Sequence, residues 1–249
     1  MRLPKKQGLY DPKNEHDSCG VGFVCNIKGN KSFDIIKKGI EVLERMSHRG
    51  AVGADPLTGD GAGILIQIPH KFFINNGINL PFNGKYGAGL VFLPTDKIEQ
   101  EFCKSAVERI IKKEGQKFLG WRKVPVNESV IGKTALESKP EFMQVFIGQG
   151  KESESQLVFE RKLYIIRKKI ENYIFKQSLK QKNFFYITSL SSKTLIYKGL
   201  LMPHQVMEFF VDLKSPLMES SLALVHSRYS TNTFPAWDLA QPFRFLAHN

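Results

Sequence analysis

The residue with the clearest chemical potential in this sequence is Cys19. It is followed by Gly20–Phe23, a small residue leading into an apolar run, which places the sulfur at the start of a buried strand. A cysteine thiol near its reference pKa of about 8.5 is mostly protonated at neutral pH, so it needs a base before it can attack. Cys19 also follows a short polar leader, residues 1–18. Removal of that leader would free an α-amine on Cys19 that can accept the thiol proton, because its reference pKa is roughly 7.7–8.0.

Two segments near the far end of the chain supply the other parts that an amide-cleaving site needs. Arg228, within 226–231, offers a planar, two-pronged donor for a carboxylate. Asn249, at the end of 245–249, offers a side-chain amide that can donate to an oxyanion. A nucleophile, an anchor and an oxyanion donor together predict cleavage of an amide.

Five short motifs occur in order along the chain: GLYDP at 8–12, NEHDSCGVGF at 14–23, HRGA at 48–51, TGDGAG at 58–63 and STNTFP at 230–235. In these motifs and their spacing the chain resembles the N-terminal glutaminase domain of glutamate synthase large subunits. Those domains are class II glutamine amidotransferases with an N-terminal nucleophile. The resemblance runs from about Gly8 to Asn249, which is essentially the whole chain.

The resemblance implies a role for each matching residue. Cys19 is expected to attack the side-chain carbonyl of glutamine, and Asn249 to face the oxyanion. Arg228 is expected to bind the α-carboxylate of glutamine, and Thr231 to support the same carboxylate. Arg49 is expected to help order the glutamine pocket, although a purely structural role fits it equally well.

The chain departs from the family pattern at its end. The family motif continues His-Asn-Gly and takes its second oxyanion donor from the glycine N–H, whereas this sequence stops at Asn249. The family carboxylate that binds the substrate amino group also lies further on. We therefore expect a leader or propeptide over 1–18 and an amidotransferase domain over 19–249 that is truncated before its end and inactive, or nearly so, by itself.

The mixture of helical and strand patterns without strict alternation predicts an α+β fold. The resemblance sharpens this to an N-terminal-nucleophile hydrolase, a four-layer αββα sandwich that is incomplete at the C-terminus. The patterns predict strands over 21–27, 62–68, 87–93, 121–124, 141–148, 221–226 and 244–247, and helices over 34–46, 96–114, 156–177 and 203–212. Residues 184–190 and 194–200 are predicted to form a hairpin with its turn at 191–193. A connection is predicted over 125–140.

The composition is that of an ordinary globular protein, with 42% hydrophobic and 24% charged residues over 249 positions. No apolar run approaches the roughly 20 residues needed to span a bilayer, and no apolar stretch follows the basic N-terminus as in a secretory signal. Three cysteines without metal-ligand spacing favour a reducing compartment. We expect a cytoplasmic protein, or a stromal one if it is encoded in a plastid, with no membrane partner.

The net charge of +12 raises the alternative of a basic module that binds nucleic acid. The basic residues concentrate in 104–123 and 161–182. In the second stretch apolar residues recur at helical spacing (Leu163, Ile166, Ile170, Tyr173, Ile174). This pattern is typical of an amphipathic helix with a solvated basic face, and Tyr164 and Tyr173 are predicted on or beside its apolar side. We therefore expect no nucleic-acid partner.

Other site chemistries fit the sequence less well. The glycines of 48–63 match neither a Walker loop nor a calcium loop, so they are interpreted as turns and close approaches around the nucleophile. No third ligand accompanies His16 and His48, and no metal site is predicted. Cys25 and Cys103 are predicted to be core residues. An acylase that uses the terminal cysteine on another amide remains an alternative, which Arg228 disfavours because an apolar acyl pocket has no use for its charge.

The resemblance also implies partners. In the parent enzyme, ammonia from glutamine reacts with 2-oxoglutarate under reduction through FMN and an iron–sulfur cluster. None of these cofactors is expected within this chain. The expected partners are glutamine, the remaining synthase domains, and a reductase subunit or ferredoxin.

Overall fold

Two antiparallel sheets form the centre of the molecule. The computed structural model describes residues 5–8, 11, 13, 19–50, 55–151, 155–230 and 233–244. Sheet I has the strand order β1-β8-β2-β7 and sheet II the order β4-β5-β3-β6. In chain order the strands are β1 (Gly20–Cys25), β2 (Ala62–Gln67), β3 (Tyr86–Leu93), β4 (Lys117–Lys123), β5 (Glu141–Gly148), β6 (Tyr186–Ile187), β7 (Thr194–Gly199) and β8 (Leu222–Ser227). The expected mixture of helices with antiparallel strands is confirmed.

Six α-helices connect these strands in the described part of the chain. They are α1 (Phe33–Arg45), α2 (His70–Asn75), α3 (Lys97–Lys113), α4 (Lys133–Glu137), α5 (Gln156–Phe175) and α6 (Gln205–Phe209). The two long helices α3 and α5 begin at side-chain caps. Asp96 accepts the backbone N–H of Glu99, and Ser155 accepts that of Val158, so each cap satisfies one donor that the first helical turn leaves unpaired.

Helix α1 packs on one face of sheet I because small residues allow a close approach. A β-carbon at Gly39 of α1 would lie 2.7 Å from the Ala223 β-carbon of β8, and one at Gly22 of β1 would lie 2.7 Å from Val42 of α1. Ile36, Ile40 and Leu43 share the buried face of the helix. These three residues belong to a core cluster that also includes Phe92 and Phe142 of sheet II, so the two sheets share one core.

Helices α3 and α5 cover sheet II with a second core cluster. Leu163, Ile166, Ile170 and Ile174 of α5 are buried, as the helical spacing predicts. Tyr164 lies beside the apolar stripe, which the prediction allowed, and is 56% exposed. Tyr173 is half-buried and lies under the guanidinium of Arg109, 4.7 Å from the ring centre.

The predicted hairpin of 184–190 and 194–200 was wrong. Both segments contain a strand, but β6 pairs with β3 in sheet II, whereas β7 pairs with β2 in sheet I. The segment between them crosses from one sheet to the other. The crossing is tied by side chains, since Ser189 Oγ accepts the Ile196 N–H at 3.2 Å and Thr188 Oγ donates to the carbonyl of Leu90 at 3.0 Å.

Most other predicted elements occur within a few residues of their expected bounds. The connection over 125–140 contains a 3₁₀ turn, Glu128–Val130, and the short helix α4. Of the strand predicted over 244–247, Arg244 lies in a turn with a φ of 52° and the remaining three residues lie outside the described part. No helix among the described residues is long and apolar enough to cross a membrane.

Candidate active site

Cys19 lies immediately before β1, beside the end of β8. Gly20 pairs with Ser227, and the backbone of Tyr229, two residues beyond β8, contacts the sulfur. The N–H of Tyr229 points at Sγ over 3.3 Å, and the thiol points at the Tyr229 carbonyl oxygen over 3.6 Å.

The sulfur belongs to the face of sheet I opposite α1. A β-carbon at Gly20 would contact Met46, the residue that caps the end of α1, and one at Gly22 would contact Val42 of α1, so even-numbered positions of β1 face that helix. Side chains alternate along a strand, and odd-numbered positions therefore face the other way. Val21 and Phe23 are 40% and 68% exposed, which shows that this face is open at β1. Cys19 is half-buried at the head of the same row.

Cys25 lies on this row as well, and its predicted core position was wrong. It is exposed, because β1 is the edge strand of sheet I and its odd-numbered face has little covering in the described structure. Cys103 is buried on α3, as predicted. Burial raises its pKa to about 12, which keeps the thiol protonated and unreactive.

Arg228 follows β8 directly and lies next to Cys19 across the strand pair. Its backbone N–H donates to the carbonyl of Gly61 at 2.8 Å. Its guanidinium donates to the carbonyl of Asp60 at 3.3 Å and to the hydroxyl of Thr233 at 2.6 Å. These contacts use two of the five N–H donors of the guanidinium, so the geometry suits an arginine that is held in place and still has donors for a carboxylate.

Asp60 is a site residue that the sequence-based prediction missed. Its side chain is 7% exposed, and its carboxylate accepts the backbone N–H of Ser230 at 2.6 Å. Burial raises the pKa of Asp60, while the Ser230 N–H and the positive charge of Arg228 oppose that rise. The signal was present in the sequence, because a carboxylate between two glycines before a buried strand must find a polar partner.

The loop that carries Asp60 is anchored on both sides. Asp55 accepts hydrogen bonds from the Thr58 hydroxyl at 2.8 Å and from the backbone N–H of Thr134 at 2.9 Å, and these bonds hold the pKa of Asp55 below its usual range. The side-chain amide of Gln205 donates to the carbonyls of Leu57 and Val130. Helices α4 and α6 thus fix the loop that contacts Arg228.

Arg49 lies close to the nucleophile strand. Arg49 ends the 3₁₀ turn Ser47–Arg49 after α1. A β-carbon added at Gly20 would lie 3.2 Å from the β-carbon of Arg49. The next residue, Gly50, approaches the other strand, since a β-carbon there would lie 2.8 Å from the Ser227 hydroxyl. The structure therefore brings Cys19, Arg49 and Arg228 into one region.

Two predicted site residues, Thr231 and Asn249, lie outside the described residues. So does most of the predicted leader, of which 5–8, 11 and 13 are described. Within the described ranges no group of three His, Cys, Asp or Glu side chains could hold a metal ion.

Comparison with known families agrees with this geometry. The model of the class II glutamine amidotransferases matches residues 19–249, so the match begins at Cys19. The chain belongs to this family.

The curated proteins with similar sequences include glutamate synthases of two bacteria and a plant. The chain is 48% identical over its whole length to the glutamate synthase [NADPH] large chain of Bacillus subtilis. It is 46% identical to the corresponding chain of Azospirillum brasilense and 42% identical to the ferredoxin-dependent glutamate synthase 1 of Arabidopsis thaliana, over 96% and 99% of its length. It spans 16%, 16% and 15% of these three relatives.

Proposed function

We propose that this chain is the glutaminase part of a glutamate synthase and that it hydrolyses glutamine to glutamate and ammonia. The observation that carries the proposal is the juxtaposition of Cys19 and Arg228 at adjoining ends of β1 and β8. A thiol beside a fixed guanidinium suits a substrate that has both a cleavable amide and a carboxylate. The family match beginning at Cys19 supports the same assignment.

The proposed reaction begins after cleavage between Ser18 and Cys19. The freed α-amine accepts the thiol proton through a water, and Sγ attacks the side-chain carbonyl of glutamine. The protonated amine then delivers a proton to the departing ammonia, which leaves a thioester on Sγ. Water hydrolyses the thioester and releases glutamate. Before cleavage the same nitrogen is an amide without a basic lone pair, so the uncleaved chain is inactive.

Binding is assigned to the residues around the sulfur. Arg228 holds the α-carboxylate of glutamine, with Thr231 in support and Arg49 ordering the pocket wall. The amide of Asn249 stabilises the oxyanion, a contribution worth roughly a hundred- to a thousand-fold in rate for one such donor. Asp60 positions residues 228–230 by accepting hydrogen bonds from the Arg228 guanidinium and the Ser230 N–H.

We infer a four-layer αββα arrangement for the complete domain. The packing of α1 on sheet I and of α3 and α5 on sheet II supports it, as does the core shared by the sheets.

The remaining reaction belongs to the longer parent protein. There the ammonia would aminate 2-oxoglutarate with electrons passed through FMN and an iron–sulfur cluster outside this chain. The relatives' names include NADPH, NADH and ferredoxin, and a reductase subunit or ferredoxin is the corresponding partner. We place the protein in the cytoplasm, or in the plastid stroma if it is encoded there.

The test compares substrates with a full-length protein that contains these residues. Ammonia release is measured with free glutamine and with N-acyl amides, and the mature N-terminus is determined by intact mass. The proposal expects hydrolysis of glutamine by a chain that starts at Cys19. Preference for N-acyl amides would favour the acylase alternative, and full activity with residues 1–18 retained would contradict the mechanism.

A further inference from the structure

A fully buried lysine lies on the same sheet as the site residues. Lys198 of β7 has 0% of its surface exposed. Its Nζ donates to the backbone carbonyls of Asp238 at 2.8 Å and Ala240 at 2.6 Å. The rings of Tyr186 and Phe243 flank the same nitrogen, with ring centres 4.5 and 4.3 Å away. A buried lysine is costly to desolvate, so its contacts call for an explanation.

The segment that Lys198 binds, 237–241, packs directly on three glycines: Gly61 just before β2, Gly63 of β2 and Gly199 at the end of β7. A β-carbon at Gly61 would lie 2.9 Å from the Ala240 β-carbon, and one at Gly63 would lie 2.6 Å from the Gln241 carbonyl oxygen. A β-carbon at Gly199 would collide with the ring of Trp237. Gly61 also has a φ of 129°, which disfavours a side chain. We call Gly61, Gly63 and Gly199 the glycine floor.

The glycine floor adjoins the candidate active site. Gly61 accepts the backbone N–H of Arg228, and the residue before it, Asp60, holds both the Arg228 guanidinium and the Ser230 N–H. Two residues after Gly61, Gly63 pairs with Lys198 of β7 on one side and with His226 of β8 on the other. Ala240 and Gln241 therefore lie beside Arg228 on the face of sheet I to which Cys19 belongs, whereas Trp237 packs at Gly199, at the end of edge strand β7.

We propose that Lys198 is a positioning residue that clamps segment 237–241 onto the glycine floor, so that this segment forms a wall of the glutamine-binding pocket. This inference rests on the proposed glutaminase function and adds a residue outside the family motifs. Lys198 contacts neither the sulfur nor the assigned carboxylate anchor in the described structure. It acts through the two carbonyls that it holds.

The clamp does not depend on one protonation state of Lys198. Burial, together with the nearby positive charges of Arg244 and Arg228, lowers the pKa of Lys198 well below its ordinary value, and Asp238 opposes this shift. A neutral amine keeps two N–H donors, which is the number of carbonyls that it holds. The ammonium form has a third N–H donor, which can reach the Tyr186 hydroxyl 3.4 Å away.

The experiment uses a full-length protein and the variant Lys198→Met, which keeps the side-chain length but leaves both carbonyls unsatisfied. Steady-state kinetics with glutamine are combined with two alkylation rates at Cys19. Iodoacetamide reports on the thiol alone, whereas the glutamine analogue 6-diazo-5-oxo-norleucine also needs the pocket. Lys139→Met is the matched control, because Lys139 is another buried lysine whose Nζ donates to a backbone carbonyl, that of Pro140.

We expect Lys198→Met to raise the KM for glutamine roughly tenfold and to slow the analogue to a similar degree, as expected for two unsatisfied buried acceptors in a pocket wall. The iodoacetamide rate should change by less than about twofold, because the nucleophile itself is untouched. Ala240→Gly keeps Lys198 and its acceptors but frees the clamped backbone, and we expect a KM increase of about threefold from it. This second variant decides the question if Lys198→Met does not fold.

Unchanged KM values in Lys198→Met and Ala240→Gly would overturn the clamp, as would an equal KM increase in Lys139→Met. A wild-type protein that neither hydrolyses glutamine nor reacts with the analogue would instead overturn the proposed function, and the clamp with it. The wild-type measurement therefore separates the two failures.

Discussion

At the scale of single residues, Arg228 shows why a guanidinium suits this position. Two contacts to Asp60 and Thr233 fix its plane, and the remaining donors stay available. A lysine in its place would keep the charge but could not make both fixing contacts and a two-pronged bond to a carboxylate.

We therefore predict that Arg228→Lys raises the KM for glutamine by about 10- to 100-fold, because the two-pronged hydrogen bonds to the substrate carboxylate are lost. The kcat should fall much less. Steady-state kinetics with a full-length protein measure both values. Arg45→Lys is the control, since Arg45 is an exposed residue paired with Glu41 on α1. An unchanged KM in Arg228→Lys would remove this residue from the binding site.

Asp60 offers a second residue-scale prediction, on stability. Because burial raises its pKa in the folded state, the folded chain holds the Asp60 proton more tightly than the unfolded chain does. Its contribution to stability therefore declines as the pH rises from the unfolded pKa, near 3.8, through the raised folded value. At neutral pH the ionised, buried carboxylate is a net cost.

Asp60→Asn keeps an acceptor for the Ser230 N–H and removes that cost. We predict a thermal midpoint a few degrees above that of the wild-type chain at pH 7.5, with the gain shrinking as the pH falls toward 3.8, the ordinary pKa of an aspartate. The KM for glutamine should rise, because Arg228 loses a neighbouring negative charge. Thermal unfolding of the 249-residue chain across pH measures the first effect. A gain that grows on acidification would contradict the assigned pKa direction.

At the scale of secondary-structure elements, periodicity was sufficient where an element is amphipathic. The buried stripe of α5 and the apolar run of β2 lie where the pattern predicted them. The same reasoning failed for β6 and β7, because two neighbouring apolar runs show that strands exist but not which sheet each one joins. The pairing is decided by tertiary contacts such as Ser189 with Ile196.

The proposed site residues show the same contrast between what local sequence patterns predict and what tertiary contacts decide. The motifs indicated Cys19 and Arg228 as candidates, and the structure places these two residues side by side. Asp60 and Lys198 were not predicted, because their environments come from distant segments: Ser230 for one, and 238–240 for the other. Cys25 was misplaced because its sequence does not reveal that β1 is an edge strand.

The packing of α1 on sheet I gives an element-scale prediction. Gly39→Ala should gain roughly 1 kcal/mol of helix propensity in an exposed helix. Here the added β-carbon would lie 2.7 Å from that of Ala223, so we expect a net loss of about 1–3 kcal/mol in the free energy of unfolding. Urea unfolding measures it. Glu41→Ala, on the exposed face of α1, should change the same quantity by less than about 0.5 kcal/mol. Stabilisation by Gly39→Ala would mean that α1 does not contact β8 this closely.

At the scale of the whole molecule, the net charge of +12 is the excess of 36 basic over 24 acidic residues, and several of the basic side chains on α5 are held in ion pairs. Lys162 and Lys169 both pair with Glu114, and Arg167 and Lys168 both pair with Glu171. Positive charges held by carboxylates are poorly placed to release counterions from a phosphate backbone.

We accordingly predict that the chain is not retained on immobilised polynucleotide at about 0.15 M salt, where surface charges more than about 8 Å apart are largely screened. At lower salt, the wild-type chain and the charge-reversal variant Lys168→Glu should be retained equally weakly. Chromatography over a salt gradient measures this. Retention that persists at this salt and is lost in Lys168→Glu would revive the nucleic-acid alternative.

The central claim is that the Cys19 sulfur attacks glutamine, and ammonia release by Cys19→Ala in a full-length protein tests it most directly. Cys25→Ala is the matched control, because Cys25 is an exposed cysteine at the end of β1, the strand that Cys19 precedes. We predict that Cys19→Ala lowers the rate to background, a loss of at least about a thousand-fold, while Cys25→Ala retains it. Glutamine hydrolysis that survives the loss of Cys19 would contradict the account.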